Sequence, residues 1–280
     1  MARRVKKVDS KEVGLEIGLL IFKFFLKTEY LHYGLFTDGL KGDVGNLAQA
    51  QKNYADFLME NIPEGTKTIL DVGCGSGRMA RTLIEKGYKV DAVSPGVILT
   101  EHARKLIATE ESTIFQTKFE NMESNKTYDL VIFSESFQYI PVETAFEKAQ
   151  KHLNPGGHIM ICDFFKVDPE KKSLLGGGHE FDMFNEKLKK QSLQLVKERD
   201  ITAETSLTID IVNDLAKEVL HPVYNLVFLL AEDRFPWVVK LVKWKYKKKL
   251  EKMQNKHFSG QRSGENFRKY KKYMFYLFKK

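Results

Sequence analysis

The chain has 280 residues, of which 42% are hydrophobic and 12% aromatic, and its two cysteines lie far apart. This composition excludes a disordered chain, a disulfide framework and a cysteine metal cluster, and it is enough for one large domain or a core with an insertion. The net charge of +8 is uneven: from Trp237 to Lys280, fifteen Lys or Arg stand against two Glu, which leaves −5 for the rest. Such asymmetry favours a polyanionic partner, either nucleic acid or an anionic membrane surface.

The N-terminal segment is basic up to Lys7 and apolar from Val13 to Leu26. Glu16 and Lys23 interrupt the apolar run and no small-residue cleavage site follows, so we predict no signal peptide. No stretch reaches the roughly 18 apolar residues of a spanning helix. We therefore expect a cytoplasmic protein that can lie on a membrane but does not cross it.

Two helices and an aromatic segment are predicted before the first strand. Apolar residues at helical spacing predict a helix over residues 9–27, which either packs on the core or lies at a membrane interface beside an apolar substrate channel. The aromatic box Tyr30–Phe36 follows, and its rings could close over a ligand. A second helix is predicted over Leu47–Asn61, because Pro63 and Gly65 stop it.

A glycine-rich turn comes next. The apolar run Thr68–Val72 ends in three glycines at every second position, and a helix-compatible run begins at Arg78. This order predicts a strand, a tight turn and a helix. Glycine allows close approach of backbone to a ligand, and the first N–H groups of the helix are free to bind it. The turn fits a dinucleotide or S-adenosylmethionine.

Two positions favour S-adenosylmethionine. Asp71 puts a carboxylate at the end of the strand, which suits an ammonium and a sulfonium group and would repel a pyrophosphate. The second strand, Lys89–Val93, ends in Ser94 and Pro95 rather than in the acid that a dinucleotide ribose requires. A turn that binds nothing is the remaining interpretation.

Strands and helices then alternate, which predicts parallel pairing in a doubly wound sheet. The predicted strands are 68–72, 89–93, 113–116, 129–133 and 158–163, and the predicted helices are 78–86, 98–109 and 141–153. Ligands bind beyond the carboxyl ends of such strands, so we expect one crevice bordered by Asp71, Ser94, Glu120 and Ser134.

The alternation ends after Phe165. The glycine loop 176–178 is a candidate lid hinge, and it precedes a predicted helix, 185–191, and a sixth strand, 194–199. The remaining pattern predicts a helix over 208–219, an apolar segment over 222–230, a basic helix with Trp237, Leu241 and Trp244 on one face, and a last strand over 270–278.

These motifs resemble those of a known family. Leu70–Gly77, read LDVGCGSG, resembles motif I of the class I S-adenosylmethionine-dependent methyltransferases. Tyr128–Phe133 and Leu153–Gly157 resemble that family's fourth strand and the turn before its fifth, and the box Tyr30–Phe36 resembles one found in the branch that acts on small molecules and lipids. The likeness covers residues 30–165. It implies a Rossmann-like α/β fold, mostly parallel, whose last strand runs antiparallel between the fifth and the sixth.

The resemblance also implies a division of the chain. We expect an N-terminal helical cap over 1–61 and an S-adenosylmethionine-binding core over 62–200. A helical, basic insertion over 201–268 would cover the active-site face, and the segment 269–280 would return to the core as the final strand.

Cofactor contacts are carried over from the family by position. Asp71 would hold the amino group, the glycines would underlie the methionine part, and Tyr33 would lie against the cofactor. The predicted set is Tyr33, Asp71, Gly73, Gly75, Gly77, Ser94, Pro95, Phe119, Glu120, Phe133 and Ser134. Ser94 and Pro95 depart from the family, because many members have an acid there that holds both ribose hydroxyls.

Methyl transfer needs alignment of the acceptor and exclusion of water, and it needs a general base only if the acceptor loses a proton. The candidates for such a base are Glu135 and Tyr139, which follow the fourth strand, and His179, which follows the glycine loop. The Asn-Pro-Pro-Tyr box typical of nucleobase amino methylation does not follow the fourth strand.

The predicted function is methyl transfer from S-adenosylmethionine to a small, largely apolar acceptor such as a lipid, quinone or natural product, with S-adenosylhomocysteine as the product. Two alternatives stay open: an RNA methyltransferase that uses the basic segment, and a non-catalytic membrane- or partner-binding protein. Trp237–Lys249 could contact an anionic membrane or be a solvated helix. Nucleic acid is less favoured, because no known nucleic-acid module accompanies the lysines.

Overall fold

The structure is a computed structural model, and it describes residues 10–107, 111–168, 170, 173, 175–258 and 260–280. A seven-stranded sheet forms its centre. The strands, in chain order, are β1 Thr68–Val72, β2 Lys89–Val93, β3 Ile114–Phe115, β4 Tyr128–Ser134, β5 Leu153–Lys166, β6 Gln194–Asp200 and β7 Lys271–Lys279.

The strand order is β3-β2-β1-β4-β5-β7-β6. All pairs among β1 to β5 are parallel, whereas β7 lies antiparallel between β5 and β6. This topology confirms the predicted Rossmann-like α/β class with its antiparallel last strand. The order reverses direction at β1, so the crevice beyond the carboxyl ends of β1 and β4 is the ligand position expected for this fold.

Helices cover both faces of the sheet and fill the segment before β7. They are α1 Ser10–Ile21, α2 Leu47–Glu60, α3 Arg78–Glu85, α4 Ile98–Ile107, α5 Val142–Lys151, α6 Phe181–Leu188, α7 Thr202–Leu215, α8 His221–Arg234, α9 Pro236–Phe258 and α10 Gly264–Tyr270. Wider π turns extend α1 over Phe22–Leu26 and join α7 to α8 over Ala216–Leu220. In the described part of the chain, no helix is both long and apolar enough to span a membrane.

Two apolar layers hold the sheet. One is rich in phenylalanine and joins β4, α5, α6 and the end of β5 through Phe133, Phe137, Phe146, Phe165 and Phe184. The other packs α2 and α3 on the opposite face through Tyr54, Leu58, Met79, Leu83 and Phe275. Close ring contacts, such as 4.5 Å between the centroids of Phe165 and Phe184, fix the first layer.

Some element boundaries differ from the prediction. β5 begins at Leu153 and not at 158, because Leu153 pairs with Tyr128 before a shift in register. α7 begins at Thr202 and not at 208, and just before it the Asp200 side chain accepts a hydrogen bond from the Thr202 backbone N–H at 2.9 Å. The predicted insertion is present as α7 to α10, whereas the division of the chain into four domains stays a prediction.

The packing of α4 leaves no room for a side chain at Gly77. This residue has φ +82°, and a Cβ added to it would lie 2.7 Å from Ala103 Cα in α4. Gly87 is the matched control, because it has φ +93° but no atom within 4 Å of an added Cβ. We predict that Gly87→Ala lowers the free energy of unfolding by about 1–2 kcal/mol through backbone strain alone.

Gly77→Ala should cost roughly 2 kcal/mol more than the control, since α3 and α4 must separate to admit the methyl group. Urea unfolding of both variants measures the difference. Equal losses of stability would mean that the approach of α3 to α4 is not the constraint.

Candidate functional site

The glycine turn between β1 and α3 is built by three glycines in the left-handed region. Gly73, Gly75 and Gly77 have φ of +81°, +53° and +82°. A Cβ on Gly73 would overlap Ser136 Cβ, and one on Gly77 would overlap Ala103. A Cβ on Gly75 would come no closer than 3.9 Å to its nearest neighbour, Leu31 Cδ1. Gly73 and Gly77 therefore let the turn pack on the protein, and Gly75 leaves room above it.

Asp71 is the carboxylate of this turn. Only 2% of its surface is exposed, and its Oδ2 is buried with no hydrogen-bond partner among the described residues. Burial raises the pKa of Asp71 to about 7. A buried carboxylate without a partner is unfavourable, and a cationic ligand at Oδ2 would relieve that cost. This unpartnered oxygen at the switch point of the sheet fits a ligand that carries an ammonium group.

The aromatic box lies across the site and is fixed from α2. The buried Gln51 donates from Nε2 to the carbonyls of Tyr30, at 3.1 Å, and His32, at 2.8 Å. His32 stacks on Tyr54 with ring centroids 4.3 Å apart. Its Nδ1 donates to Tyr33 O at 2.8 Å, so Nε2 is an acceptor, and that atom is buried without a partner. Burial lowers the pKa of His32 to about 4, which keeps the ring neutral.

A carboxylate that the sequence analysis did not identify lies near the end of β2. Ser94 is buried and Pro95 is exposed. Beyond them, Glu12 of α1 accepts a hydrogen bond on Oε1 from the Ile98 backbone N–H, at 2.7 Å, where α4 begins. A Cβ on Gly96 would lie 2.9 Å from that same oxygen. Glu12 is far from β2 in sequence, so no local pattern could have indicated this contact.

Phe119, Glu120, Phe133 and Ser134 were predicted at the cofactor. Phe119 and Phe133 are 3% and 0% exposed and pack edge to face, with centroids 5.6 Å apart. Their rings therefore belong to the core. Glu120 lies half-buried in a short helical turn, and Ser134 ends β4. The predicted cofactor contacts stay predictions.

Glu135 follows β4 in the left-handed conformation, with φ +56°, which is uncommon for a residue other than glycine. Its Oε1 accepts hydrogen bonds from the Tyr33 backbone N–H, at 2.6 Å, and the Tyr273 hydroxyl, at 2.7 Å. The Tyr273 hydroxyl also lies 3.2 Å from that of Tyr54. Burial raises the pKa of Glu135 to about 8 and outweighs the two hydrogen bonds, which act in the opposite direction.

An aromatic wall stands beside Glu135. The Tyr33 ring lies 5.9 Å from Phe164, 5.9 Å from Phe267 and 5.7 Å from Tyr273, measured between centroids. These rings come from the box, β5, α10 and β7, so elements distant in sequence meet here. The wall is apolar apart from its hydroxyl groups, and Phe164, Phe267 and Tyr273 are 8%, 1% and 0% exposed, so its rings pack on one another as part of the core.

The other two candidate bases are placed differently. His179 Nε2 lies 2.9 Å from Ile140 O and 3.1 Å from Phe137 O, so its proton is engaged by backbone carbonyls. Tyr139 is 64% exposed. Of the three candidates, only Glu135 lies in a buried network beside the wall.

The glycine loop predicted as a hinge is held in place. Gln138 Oε1 accepts a hydrogen bond from the Gly178 backbone N–H, at 3.1 Å. Lys271, which is 1% exposed, donates to Gly177 O at 2.6 Å. The buried lysine at the start of β7 thus supplies a contact that the loop's own sequence does not indicate, and the lid hinge stays a prediction.

The chain matches a family model described as a methyltransferase domain over residues 47–202. Among curated proteins, it is 30% identical over 123 residues to a malonyl-[acyl-carrier protein] O-methyltransferase of Anoxybacillus flavithermus, covering 42% of this chain and 46% of that protein. It is 29% identical over 185 residues to a ubiquinone biosynthesis O-methyltransferase of Aliivibrio fischeri, covering 58% and 78%. The chain spans about half the length of the first curated relatives it matches.

Solved structures share the fold. The mycolic acid cyclopropane synthase CmaA1, complexed with SAH and CTAB, superposes with a TM-score of 0.66 at 14% identity, over 98% of this chain and 100% of that one. The [4+2]-cyclase SpnF superposes with a TM-score of 0.66 at 13% identity, over 98% and 97%. Because these neighbours are named for different reactions, the likeness carries the fold and not the chemistry.

The unpartnered Asp71 should make stability depend on pH. Its folded pKa is raised above the value of an unfolded aspartate, so the folded chain binds the proton more tightly, and stability falls as pH rises towards about 7. Asn at this position cannot ionise. Between pH 5 and pH 8, we predict that the stability of Asp71→Asn relative to the wild type increases by about 2 kcal/mol, measured by urea unfolding without ligand.

Asp129→Asn is the matched control. Burial at Asp129 is outweighed by hydrogen bonds from Asn154, Thr68 and Lys67, which lower its pKa to about 2. This variant should be less stable than the wild type at both pH values. A constant difference between Asp71→Asn and the wild type would contradict the burial of an unpaired charge at Asp71.

Proposed function

Because the chain belongs to the methyltransferase domain family, whose model matches more than half of it, we propose that it transfers a methyl group from S-adenosylmethionine to a small, largely apolar acceptor. The observation that carries the proposal is the unpartnered, buried Oδ2 of Asp71 beside the glycine turn. A carboxylate there favours a ligand with an ammonium group over one with a pyrophosphate. The open space at Gly75 supports the same interpretation.

The residues that would hold the cofactor come from four elements. Asp71 would accept hydrogen bonds from its amino group, and the turn from Gly73 to Gly77 would lie beneath its methionine part. Glu12 and Ser94 would receive the ribose hydroxyls, so that a carboxylate from α1 replaces the acid that is missing after β2. When bound, the cofactor supplies a methyl group already activated on a sulfonium.

The chain's own residues have three further tasks. The aromatic wall of Tyr33, Phe164, Phe267 and Tyr273, whose rings pack on one another, would exclude water from the side of Glu135. Glu135 would take up the acceptor's proton. Its pKa of about 8 is close to working pH, which is where a general base is most effective. The hydrogen bonds from Tyr33 and Tyr273 would fix the carboxylate in position.

The nature of the acceptor is supported by two curated relatives that are both named O-methyltransferases, one of ubiquinone biosynthesis and one of malonyl-[acyl-carrier protein]. A phenol must lose its proton to become the nucleophile, and Glu135 is suited to receive it, whereas a carboxylic acid is already ionised at working pH and needs no base. We therefore include phenols with apolar substituents and carboxylic acids with apolar tails as the first acceptor panel, with S-adenosylhomocysteine release as the readout.

Calorimetric titration with S-adenosylmethionine and S-adenosylhomocysteine tests the proposal. We predict saturable binding by the wild type. Gly75→Ala should weaken it at least about tenfold, because its methyl group occupies ligand space, while Gly87→Ala should leave it unchanged. No binding of either compound at millimolar concentration would exclude the proposal.

Glu12→Gln tests the ribose contact. The amide oxygen can still cap α4 at Ile98, so the helix keeps its acceptor while the site loses one charge. We predict about fivefold to thirtyfold weaker binding of S-adenosylhomocysteine and of adenosine, and unchanged binding of methionine. Equal affinity of the variant and the wild type for adenosine would remove Glu12 from the site.

Glu135→Gln tests the base. With a phenol from the panel, the wild-type kcat should rise with pH and level off above about 8, because Glu135 acts in its ionised form. The variant should lose about 10²–10⁴ in kcat, together with this rise, and keep its cofactor affinity. Tyr139→Phe is the control, and it should keep both. A Glu135→Gln enzyme with the wild-type pH profile would show that the acceptor's proton goes elsewhere.

A further inference from the structure

The hairpin formed by α8 and α9 exposes large apolar side chains. On α9, Trp237 is 73% exposed, Leu241 51% and Trp244 77%, and their spacings of four and three residues put them on one face of the helix. Val239 is 6% exposed and lies on the opposite face. We call the exposed side the outer face of α9. Tryptophans this exposed are rare on a surface that meets only water.

Lysines flank this outer face on both sides. Lys240 and Lys247 lie along one border and Lys245 along the other, and all three are exposed. The whole of α9 contains eight lysines and one glutamate. Lys243 is paired with Glu232 of α8 at 2.9 Å, so it contributes less free charge than the others. The surface thus combines an apolar stripe with a strong positive field.

We propose that the outer face of α9 docks on an anionic lipid bilayer. Indole rings favour the boundary between headgroups and acyl chains, where an apolar ring and its N–H are both satisfied. Lysine stems extend along the apolar surface while their ammonium groups reach the lipid phosphates. Charge complementarity therefore selects an anionic surface, and the helix lies in the plane of the interface.

Two other occupants fit less well. A second copy of the chain would bring the same lysine-rich face against itself in a twofold interface, and like charges would repel. Nucleic acid would match the lysines, but it gives no role to the exposed aliphatic side chains of α8. Leu226, Leu229 and Leu230 are 59%, 63% and 61% exposed, and no lysine lies on that helix.

A second patch of the same chemistry lies at the end of α1. Phe24 and Phe25 are 69% and 71% exposed, and Lys27 Nζ lies 5.3 Å from the Phe24 ring. The same turn packs through Phe22 and Leu26 against a cluster that includes residues of α7, the helix that leads into the hairpin. An apolar and basic contact at this point would add to docking by α9.

Vesicle flotation of the full chain tests the proposal, with phosphatidylcholine vesicles compared with vesicles that also contain phosphatidylserine. We predict binding to the anionic vesicles only, with release at high salt. Replacing three lysines with glutamine at 240, 245 and 247 should lower the partition coefficient about 100-fold, since each lysine contributes a factor of about five. The matched control removes three exposed lysines outside the insertion: Lys86→Gln, Lys151→Gln and Lys190→Gln.

The apolar stripe is tested by Trp237→Ser with Trp244→Ser, which should lower partitioning at least about tenfold. Its control is Val44→Ser with Val196→Ser, at positions 59% and 50% exposed. The controls should bind as the wild type does. Unchanged S-adenosylhomocysteine affinity in every variant would show that the fold is intact, so vesicle binding and the proposed methyl transfer are judged separately.

Three results would overturn the proposal. One is equal binding to neutral and anionic vesicles, and another is an equal loss in the lysine variant and its control. The third is no vesicle binding at all. In that case, dissociation of a dimer by the tryptophan variant in sedimentation analysis would assign the outer face of α9 to a second copy of the chain. Loss of RNA binding by the lysine variant in a gel shift would assign it to nucleic acid.

Discussion

A buried carboxylate without a partner is the constraint on which the site depends. Asp71 lies at the carboxyl end of β1, and its buried Oδ2 accepts no hydrogen bond from any residue that the structure describes. Burial of an unpaired charge is costly, and the rest of the fold must offset that cost. The glycine turn that follows keeps space open at Gly75 while it packs tightly at Gly73 and Gly77. The turn thus combines a buried carboxylate with open space at Gly75, at the switch point of the sheet.

The elements around Asp71 are held by contacts that reach across the chain. Gln51 fixes the aromatic box from α2, Glu12 brings α1 to the start of α4, and Tyr273 of β7 fixes Glu135 after β4. Glu135 has a raised pKa and a backbone conformation that side chains rarely adopt. The burial that raises this pKa and the left-handed backbone both lower the stability of the fold, and such features are typical of functional sites. The last strand therefore closes the sheet and also completes the site.

The sequence predicted the sheet well because its signals are local. Apolar runs, alternating helices and the glycine turn predicted the bounds of β1, β2 and β4 to within about one residue. The family resemblance predicted the position of β7 in the sheet. Contacts between distant segments left no such pattern. Glu12 looks like an ordinary residue of a surface helix, and Lys271 looks like one more lysine in a basic segment. The sequence of the glycine loop, which is predicted to be a lid hinge, likewise cannot show that Gln138 and Lys271 hold the loop in this structure.

We propose that the Asp71 carboxylate binds the cationic group of the ligand. Titration calorimetry with S-adenosylhomocysteine at pH 7, repeated in buffers of different ionisation enthalpy, gives the number of protons released on binding. The pKa of Asp71 in the ligand-free protein is about 7, so its carboxyl group is half protonated before binding and ionised after it. The wild type should therefore release about half a proton more than Asp71→Asn. Equal proton release and equal affinity in the two proteins would contradict the account.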